Sequence, residues 1–341
     1  MRAGIGLDVG TTTVRLAAVR GARDGAELVH FGSEPMHAGE EMSDVIDPQA
    51  LTSTLKALLA GTRLPKAKVS VGLSNQRMVA REVELPWVPA KELKSALPML
   101  AADLLPMPVD ESVLDFLPAE ETIDKEGARQ LKGLLIAANE EIVTLAVEAV
   151  ERAGLAVDRV DFGPLAALHS VCDPANPGPE AVLDIGATSS SLVVHQGSRP
   201  TFVRIMARGG QSMTETLADD FHIDRTAAQI WKEGVGAMWP TMSADDQRQT
   251  RIALDKAAAD LIDEVRSSVM FYQNNSEQHL TTVWMVGGGA SQFGLDYQLR
   301  EALHVDVRRA QSGVRLTSGD PQILAQPAPA TAVGLALAVA A

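Results

Sequence analysis

The chain has 341 residues, with 30 Lys or Arg against 44 Asp or Glu, and its formal net charge is −14. This length predicts about two domains, and a content of 46% hydrophobic and 22% charged residues is typical of a globular protein. The acidic balance argues against nucleic acid as a partner, because binding a phosphate backbone requires a basic surface. The single cysteine, Cys172, excludes an internal disulfide and a cysteine-rich zinc site.

The apolar segments are too short to cross a membrane. None reaches the roughly 18 apolar residues of a spanning helix, and Asp8 interrupts the apolar stretch at the N-terminus, which is not typical of a signal peptide. Residues 331–341 (TAVGLALAVAA) are apolar but lack the basic face of a membrane-surface helix, and they predict a buried final helix. We therefore expect no direct membrane insertion, so that any recruitment to a membrane occurs through a partner.

The first predicted element is a β-hairpin that recurs halfway along the chain. Residues 7–21 (LDVGTTTVRLAAVRG) and residues 183–197 (LDIGATSSSLVVHQG) share six of fifteen positions at a constant offset of 176. Each copy has an apolar strand, an Asp, a Gly, a run of hydroxyl residues and a second apolar strand, which is the pattern of a hairpin with a polar turn. Chance similarity of two hairpins is the alternative, but their matching positions in the two half-chains favour two similar lobes.

Strands and helices alternate along the rest of the chain. Apolar periodicity predicts strands at residues 67–74, 78–85, 112–118, 131–138, 157–162, 201–206, 282–286 and 305–308. It predicts helices from Pro89 towards residue 105 (with a kink or break at Pro98), after the N-cap Asn139 up to Gly154, and at residues 164–171, 214–222, 226–233, 245–274 and 295–303. This alternation predicts the α/β class.

The two hairpin turns are candidates for a phosphate site. Gly10 and Gly186 allow the backbone to approach a ligand closely. The N–H groups and hydroxyls that follow them are suited to phosphate oxygens; these hydroxyls belong to Thr11, Thr12, Thr13, Thr188, Ser189 and Ser190. Asp8 and Asp184 precede the turns, where carboxylates can hold Mg²⁺ through the waters that it usually keeps.

Two glycine-rich segments are further candidates. Gly287, Gly288 and Gly289 follow a predicted strand, so that a flat or bulky ligand could lie against bare backbone; a tight strand-to-helix turn explains them equally well. Gly209 and Gly210 precede a predicted helix, where N–H groups can bind anionic oxygens, although a simple change of chain direction is the alternative. No GxGxxG fingerprint and no P-loop motif is present.

Together these features resemble the nucleotide-binding superfamily of actin, Hsp70 and the sugar kinases. Residues 6–14 and 182–191 match its two phosphate motifs, and residues 286–291 match its adenosine motif. The resemblance is closest to the PilM family of type IV pilus assembly proteins, and it extends over nearly the whole chain. The matching segments are residues 81–86 (REVELP), 105–116 (LPMPVDESVLDF), 134–154, 209–232 and 264–273 (EVRSSVMFYQ).

The resemblance implies a two-lobed, actin-like α/β fold, in which a ribonuclease H-like unit is repeated. Lobe 1 would comprise residues 1–74 with 157–180 and 328–341, and lobe 2 residues 181–327, with an outer subdomain at about 211–279. Residues 75–156 would form the inserted small subdomain that PilM shares with FtsA. ATP and Mg²⁺ would bind in the cleft, with Asp8 and Asp184 at the metal. The other implied contacts are Gly10, Thr11, Thr12, Thr13, Gly186, Ser189, Gly209, Gly210, Lys232, Gly287, Gly288, Gly289 and Ala290.

Three positions depart from the family or superfamily pattern. Ala187 replaces the hydroxyl that the first repeat has as Thr11, so lobe 2 is expected to hold phosphate less tightly. Gln229 stands in place of a Glu, and Gly163 stands where many superfamily members have a carboxylate that orients the attacking water. We therefore assign no catalytic residue and expect weak or no ATPase activity; robust Mg²⁺-dependent turnover by the purified protein would contradict this.

The resemblance also implies a role as a cytoplasmic adaptor at the inner face of the cytoplasmic membrane. It would bind the N-terminal cytoplasmic peptide of PilN and link the alignment complex to the pilus motor, whose components are further candidate partners. An acidic chain favours a basic peptide, held extended beside the inserted subdomain. Three alternatives stay open: an FtsA-like polymerising protein, although residues 331–341 make a poor amphipathic helix; a small-molecule kinase with Asp161 as base; and a scaffold without nucleotide.

Overall fold

The computed structural model describes residues 3–21, 25–36, 47–65, 67–276, 278–311 and 316–340. The strands are β1 (Ala3–Val9), β2 (Thr13–Arg20), β3 (Ala26–Pro35), β4 (Val69–Leu73), β5 (Val79–Pro86), β6 (Ser112–Ile123), β7 (Arg129–Asn139), β8 (Val157–Phe162), β9 (Pro179–Ile185), β10 (Ser190–Gln196), β11 (Arg199–Met206), β12 (Thr282–Val286), β13 (Asp306–Arg309) and β14 (Leu316–Ser318). The helices are α1 (Pro48–Leu59), α2 (Ala90–Ala101), α3 (Glu140–Arg152), α4 (Gly163–Ala166), α5 (Leu168–Val171), α6 (Gly210–Phe221), α7 (Arg225–Met238), α8 (Ala244–Asn275), α9 (Leu295–Leu303), α10 (Pro321–Leu324) and α11 (Ala330–Ala340).

The two large sheets share a five-stranded topology, to which β14 is added in the first. The first has the order β14-β3-β2-β1-β4-β8 and the second has the order β11-β10-β9-β12-β13. In each, an antiparallel three-stranded unit continues into two parallel strands. Strands β1 and β9 begin and end 176 residues apart, which is the offset found in the sequence. The predicted repeat of a hairpin in two similar lobes is therefore confirmed.

The final helix packs directly on the first sheet because glycines leave room for it. A Cβ at Gly6 would lie 2.1 Å from the carbonyl oxygen of Ala332, and a Cβ at Gly334 would lie 1.9 Å from that of Ala166. The residues of α11 are nearly all buried, as predicted. Residue 341, the last of the predicted helix, lies outside the described residues. Within the described part of the chain, no helix is both long and apolar enough to cross a bilayer.

A third sheet of order β5-β7-β6 lies between β4 and β8 in the chain. Helix α2 covers one of its faces, where Leu85, Phe116 and Leu135 form a separate small core. Helix α3 follows this sheet in the chain, and its apolar residues belong to a larger core that joins the other face of β7 to the first sheet. The bounds of the inserted subdomain at 75–156, and of the two lobes around it, stay a prediction.

Most predicted elements appear within a few residues of their expected ends. Strand β12 and helix α9 have the predicted bounds, and the Asn139 side chain accepts hydrogen bonds from the amides of Glu141 and Ile142 as the N-cap of α3. Strand β6 is longer than predicted, because a bulge after Pro118 lets pairing continue to Ile123. Helix α2 continues through Pro98 instead of breaking there.

We predict opposite effects for two helical glycines. Gly334→Ala should lower the free energy of unfolding by about 1–3 kcal/mol, because the new methyl would overlap a backbone carbonyl that cannot move aside. Gly234→Ala in α7, whose Cβ would meet only the end of Met238 at 3.7 Å, should raise it by up to about 1 kcal/mol. Urea denaturation measures both; equal effects would contradict the close packing of α11.

Candidate functional site

The turns of the two hairpins have the same geometry and face each other between the lobes. In the first turn the Gly10 amide donates to the Thr13 carbonyl at 3.2 Å, and in the second the Gly186 amide donates to the Ser189 carbonyl at 3.0 Å. The hydroxyl oxygens of Thr11 and Thr188 lie 3.3 Å apart. Two hydroxyl-bearing turns that are far apart in sequence thus meet at one place.

Each turn needs its glycine for closure. A Cβ at Gly10 would lie 2.8 Å from the Thr13 carbonyl oxygen, and a Cβ at Gly186 would lie 2.7 Å from that of Ser189. From the sequence we expected these glycines to allow close approach of a ligand. The structure shows a nearer cause, because any larger residue would collide with the turn itself.

The carboxylates of Asp8 and Asp184 lie at the ends of β1 and β9, where the turns begin. Burial raises the pKa of Asp8 above its ordinary value, while the nearby Arg15 guanidinium opposes the shift. Burial raises the pKa of Asp184 to about 6, and the negative charge of Asp8 adds to this increase. Arg15 and a hydrogen bond from the Thr331 hydroxyl, at 3.2 Å, act in the opposite direction on Asp184. The two carboxylates are therefore close enough to repel each other.

Arg15 is a site residue that the sequence analysis missed. It lies opposite Asp8 in the pairing of β1 with β2, and its Nη1 is 3.5 Å from the Asp8 carboxylate. Its Nη2 would be 3.2 Å from a Cβ at Gly288, so the guanidinium extends from lobe 1 to the glycine segment of lobe 2. A charged residue within the otherwise apolar strand TVRLAAV was the available signal.

The start of α6 is joined to the second turn. The Gly210 amide donates to the Gly186 carbonyl and the Gln211 amide donates to the Ala187 carbonyl, both at 2.9 Å. A Cβ at Gly209 would lie 2.4 Å from the Ala187 carbonyl oxygen. In this conformation the Gly210 N–H is bonded to the turn, so binding of an anion at Gly209 and Gly210 stays a prediction.

Lys232 joins the same region from α7. Its Nζ donates to the Gly210 carbonyl and to the Thr214 hydroxyl, both at 2.6 Å, and burial lowers its pKa to about 8. A Cβ at Gly210 would lie 3.6 Å from this Nζ and 3.7 Å from the Cα of Gly289. Lys232 and Gly289, which were predicted to border the adenosine, thus lie beside Gly210, which was predicted to contact phosphate.

The remaining predicted residues lie around the two turns. Gly287 has φ = +85°, and a Cβ there would lie 2.3 Å from the Asp184 carboxylate. Ala290 is fully buried behind it, and Ser189 is nearly so. The Thr12 carbonyl accepts a hydrogen bond from the Met36 amide at 2.9 Å, so it anchors the first turn to the end of β3. At Gly287, the positive φ and the contact with Asp184 of β9 explain the need for a glycine without any ligand.

The donor set fits a water-rich Mg²⁺ site better than a protein-held metal. Among the described residues, no group of three or more His, Cys, Asp or Glu side chains is placed to hold a metal ion. Two carboxylates beside hydroxyl-bearing turns match the way Mg²⁺ binds with phosphates, since it keeps several of its waters.

Asp161 and Gly163 do not supply an obvious catalytic base. The Asp161 carboxylate pairs with Arg159 at 3.1 Å and accepts a hydrogen bond from the Ser70 hydroxyl at 3.4 Å, as expected for a structural residue near the end of β8. Gly163 begins α4, where a Cβ would lie 3.2 Å from the Leu73 carbonyl oxygen. The kinase alternative therefore gains no support.

A second feature is a cavity of about 420 Å³ beside the three-stranded sheet. The segment before β6 contributes Pro106 and Met107, and α3 contributes Ile142 and Leu145. Gln76 also lines this cavity, and its side-chain amide donates to the Thr188 carbonyl at 3.1 Å. One residue thus contacts both the cavity and the second turn.

Two similar lobes with facing hairpin turns define the actin-like ATPase fold, as predicted. The structure of MreB5 of Spiroplasma citri bound to ADP has this fold, with a TM-score of 0.55 at 12% identity over 98% of this chain and 95% of that chain. At such low identity, the similarity shows the fold alone.

The chain belongs to the PilM family of type IV pilus assembly proteins, which matches residues 6–340. A solved PilM-PilN type IV pilus biogenesis complex is similar over 100% of this chain and 98% of that chain, with a TM-score of 0.83 and 28% identity. The cell division protein FtsA of Bacillus subtilis is 23% identical over 267 residues, or 71% of this chain. The chain spans 60% of the length of that relative. The predicted family is confirmed.

We predict that Asp184→Asn stabilises the nucleotide-free protein above pH 6. The pKa of Asp184 is about 6 in the folded protein against an ordinary value of 3.8, so the folded state binds this proton more tightly. The free energy of unfolding should therefore decrease as pH rises from about 4 to about 6. Asn removes this loss, so the variant should show a flatter profile in urea denaturation with EDTA.

Asp263→Asn is the matched control, because Asp263 is exposed on α8, an element that contributes no residue to the two turns. Its pH profile should follow that of the unmodified protein between pH 4 and pH 6. An Asp184→Asn profile with the same slope as the unmodified protein would contradict the raised pKa of the buried Asp184 carboxyl.

Proposed function

We propose that this protein is an ATP-binding adaptor of type IV pilus assembly. One observation carries the nucleotide part of the proposal, namely that two turns of identical geometry face each other with a carboxylate before each. Such a pair can hold a phosphate chain from both sides, with N–H and hydroxyl groups as donors. The fold adds support, because the related MreB5 structures were solved with ADP and AMPPNP.

In this proposal each part of the site has a separate task. The Thr11 and Thr188 hydroxyls and the Arg15 guanidinium bind phosphate oxygens. Asp8 and Asp184 hold Mg²⁺ through its waters, and the ion supplies charge that relieves their repulsion. Lys232 and the bare backbone at residues 287–289 border the adenosine. No residue is assigned to activate water, so ATP acts as a structural ligand.

We predict that Mg-ATP raises the melting temperature of the protein by several degrees. A ligand present at about 100 times its dissociation constant adds ~2.7 kcal/mol to the free energy of unfolding. Asp8→Ala should lose this shift, because it removes one of the two carboxylates at the metal. Thermal denaturation with and without Mg-ATP measures the effect.

Asp263→Ala serves as the control and should retain the full shift, since Asp263 is exposed on α8 and lies outside the site. The same melts should be repeated after the protein has been stripped of any co-purified nucleotide. Absence of a shift in stripped protein at millimolar Mg-ATP would contradict nucleotide binding. The protein would then be a scaffold without nucleotide.

The adaptor part of the proposal rests on the cavity beside the three-stranded sheet. A solved relative is a complex with PilN, and we propose that this chain also binds the N-terminal cytoplasmic peptide of PilN. A volume of about 420 Å³ suits a few side chains of an extended peptide. We place the protein at the cytoplasmic face of the inner membrane, held there by PilN, with the pilus motor as a further partner.

We predict that Met107→Asp weakens binding of the PilN peptide at least tenfold. Met107 is half-buried in the wall of the cavity, and a carboxylate there would have to be desolvated when the peptide binds. Fluorescence anisotropy with a labelled peptide measures the affinity.

Met99→Asp is the matched control, because Met99 is 76% exposed on α2 and does not line the cavity. This variant should bind the peptide as the unmodified protein does. If both variants bind normally, the peptide occupies another surface, and the assignment of the cavity fails while nucleotide binding is unaffected.

A further inference from the structure

Strand β6 forms a long outer edge of the three-stranded sheet. The sheet has the order β5-β7-β6, and within the described part of the chain β6 pairs with β7 alone. Backbone N–H and C=O groups along the outer side of such an edge have no partner strand, which makes it a template for a further strand. Pro118 and the bulge after it limit the regular part to residues 112–117, about 20 Å of strand.

One face of this edge carries an exposed apolar row. Val113 and Leu117 are 45% and 37% exposed. Their neighbours across the sheet are Ala138 and Leu134, which are both buried. The row therefore continues a buried apolar face outwards by one strand, and an added strand would cover it.

Acidic residues predominate around this edge, and the two cations of β7, Arg129 and Lys132, pair with Glu121 and Glu120 beyond the bulge. Residues 95–128 contain eight Asp or Glu and one basic residue, Lys125. Asp115 lies between Val113 and Leu117 on the same face, where its carboxylate accepts a hydrogen bond from the Phe116 amide at 2.9 Å. Glu111 ends a 3-10 turn immediately before the strand. Two copies of this edge would repel each other, so the charges disfavour pairing between copies of the chain and favour a basic strand.

We propose that residues 111–117 dock an extended segment of a partner protein. In that segment, Lys or Arg alternates with apolar residues along one face, so that the basic groups meet Glu111 and Asp115 and the apolar groups meet Val113 and Leu117. The segment adds a strand to the sheet, and main-chain hydrogen bonds provide much of the affinity. This surface differs from the cavity proposed for PilN, and it does not depend on nucleotide.

The probe is the acetylated, amidated peptide Lys-Thr-Val-Thr-Lys-Thr-Val-Thr-Lys. Its sequence is the same in both directions, so it presents the same row of side chains to a parallel or an antiparallel edge. We expect it to bind, to slow hydrogen exchange of the amides at residues 112–117, and to bind more weakly as salt increases. The control peptide has Glu at the three Lys positions and should not protect these amides.

The double variant Glu111→Lys/Asp115→Lys should weaken binding of the lysine peptide at least fivefold. The matched control, Asp263→Lys/Glu301→Lys, makes the same change in net charge at exposed positions on α8 and α9. Its affinity should differ from that of the unmodified protein by less than twofold. The thermal melt of each variant, with its Mg-ATP shift, shows whether the fold is intact.

Three results would overturn the proposal. The first is unchanged exchange at residues 112–117 with the lysine peptide at millimolar concentration. The second is equal loss of affinity in the two double variants, which would show binding through net charge alone. The third is protection at residues 112–117 that arises without peptide as the protein concentration is raised, which would assign the edge to a second copy of this chain.

Discussion

The central constraint in this structure is that two carboxylates share a partly buried region between the lobes. Asp8 and Asp184 come from the ends of equivalent strands, and burial is the largest cause of the raised pKa of each carboxyl. The Arg15 guanidinium lies beside Asp8 and opposes the shift of both groups, but one cation does not balance two carboxylates. The site therefore carries an excess of negative charge, which a further cation would relieve.

The position of α11 depends on this region as well. This helix packs against the first sheet, yet the Thr331 hydroxyl donates to Asp184 of the second lobe. The Gly287 amide also donates to the Pro327 carbonyl, at 3.3 Å, in the segment that leads into the helix. The final helix thus packs on lobe 1 and forms hydrogen bonds at the site through Thr331. A displacement of one lobe relative to the other would therefore change these hydrogen bonds.

The segment before β5 reaches from the inserted sheet to the cleft. Gln76 lines the cavity and also contacts the second turn, whereas the outer edge at β6 lies on the opposite side of the sheet from β5. A partner in the cavity would therefore be next to the nucleotide region, while a partner on β6 would not. This arrangement separates the two proposed docking surfaces, one beside the start of β5 and one at the opposite edge of the sheet.

Local pattern and internal repetition were enough to determine the duplicated hairpins, the N-cap at Asn139, the buried final helix and the family. These features depend on residues a few positions apart or on a constant offset of 176. Arg15 beside Gly288, Thr331 on Asp184, the bonded amide of Gly210 and the packing of α3 on the first sheet were decided by tertiary structure. Each depends on how one element packs against another, and in most of them the partners are far apart in sequence. The packing of the elements decides which partner a side chain or amide contacts, and a local sequence pattern does not encode that packing.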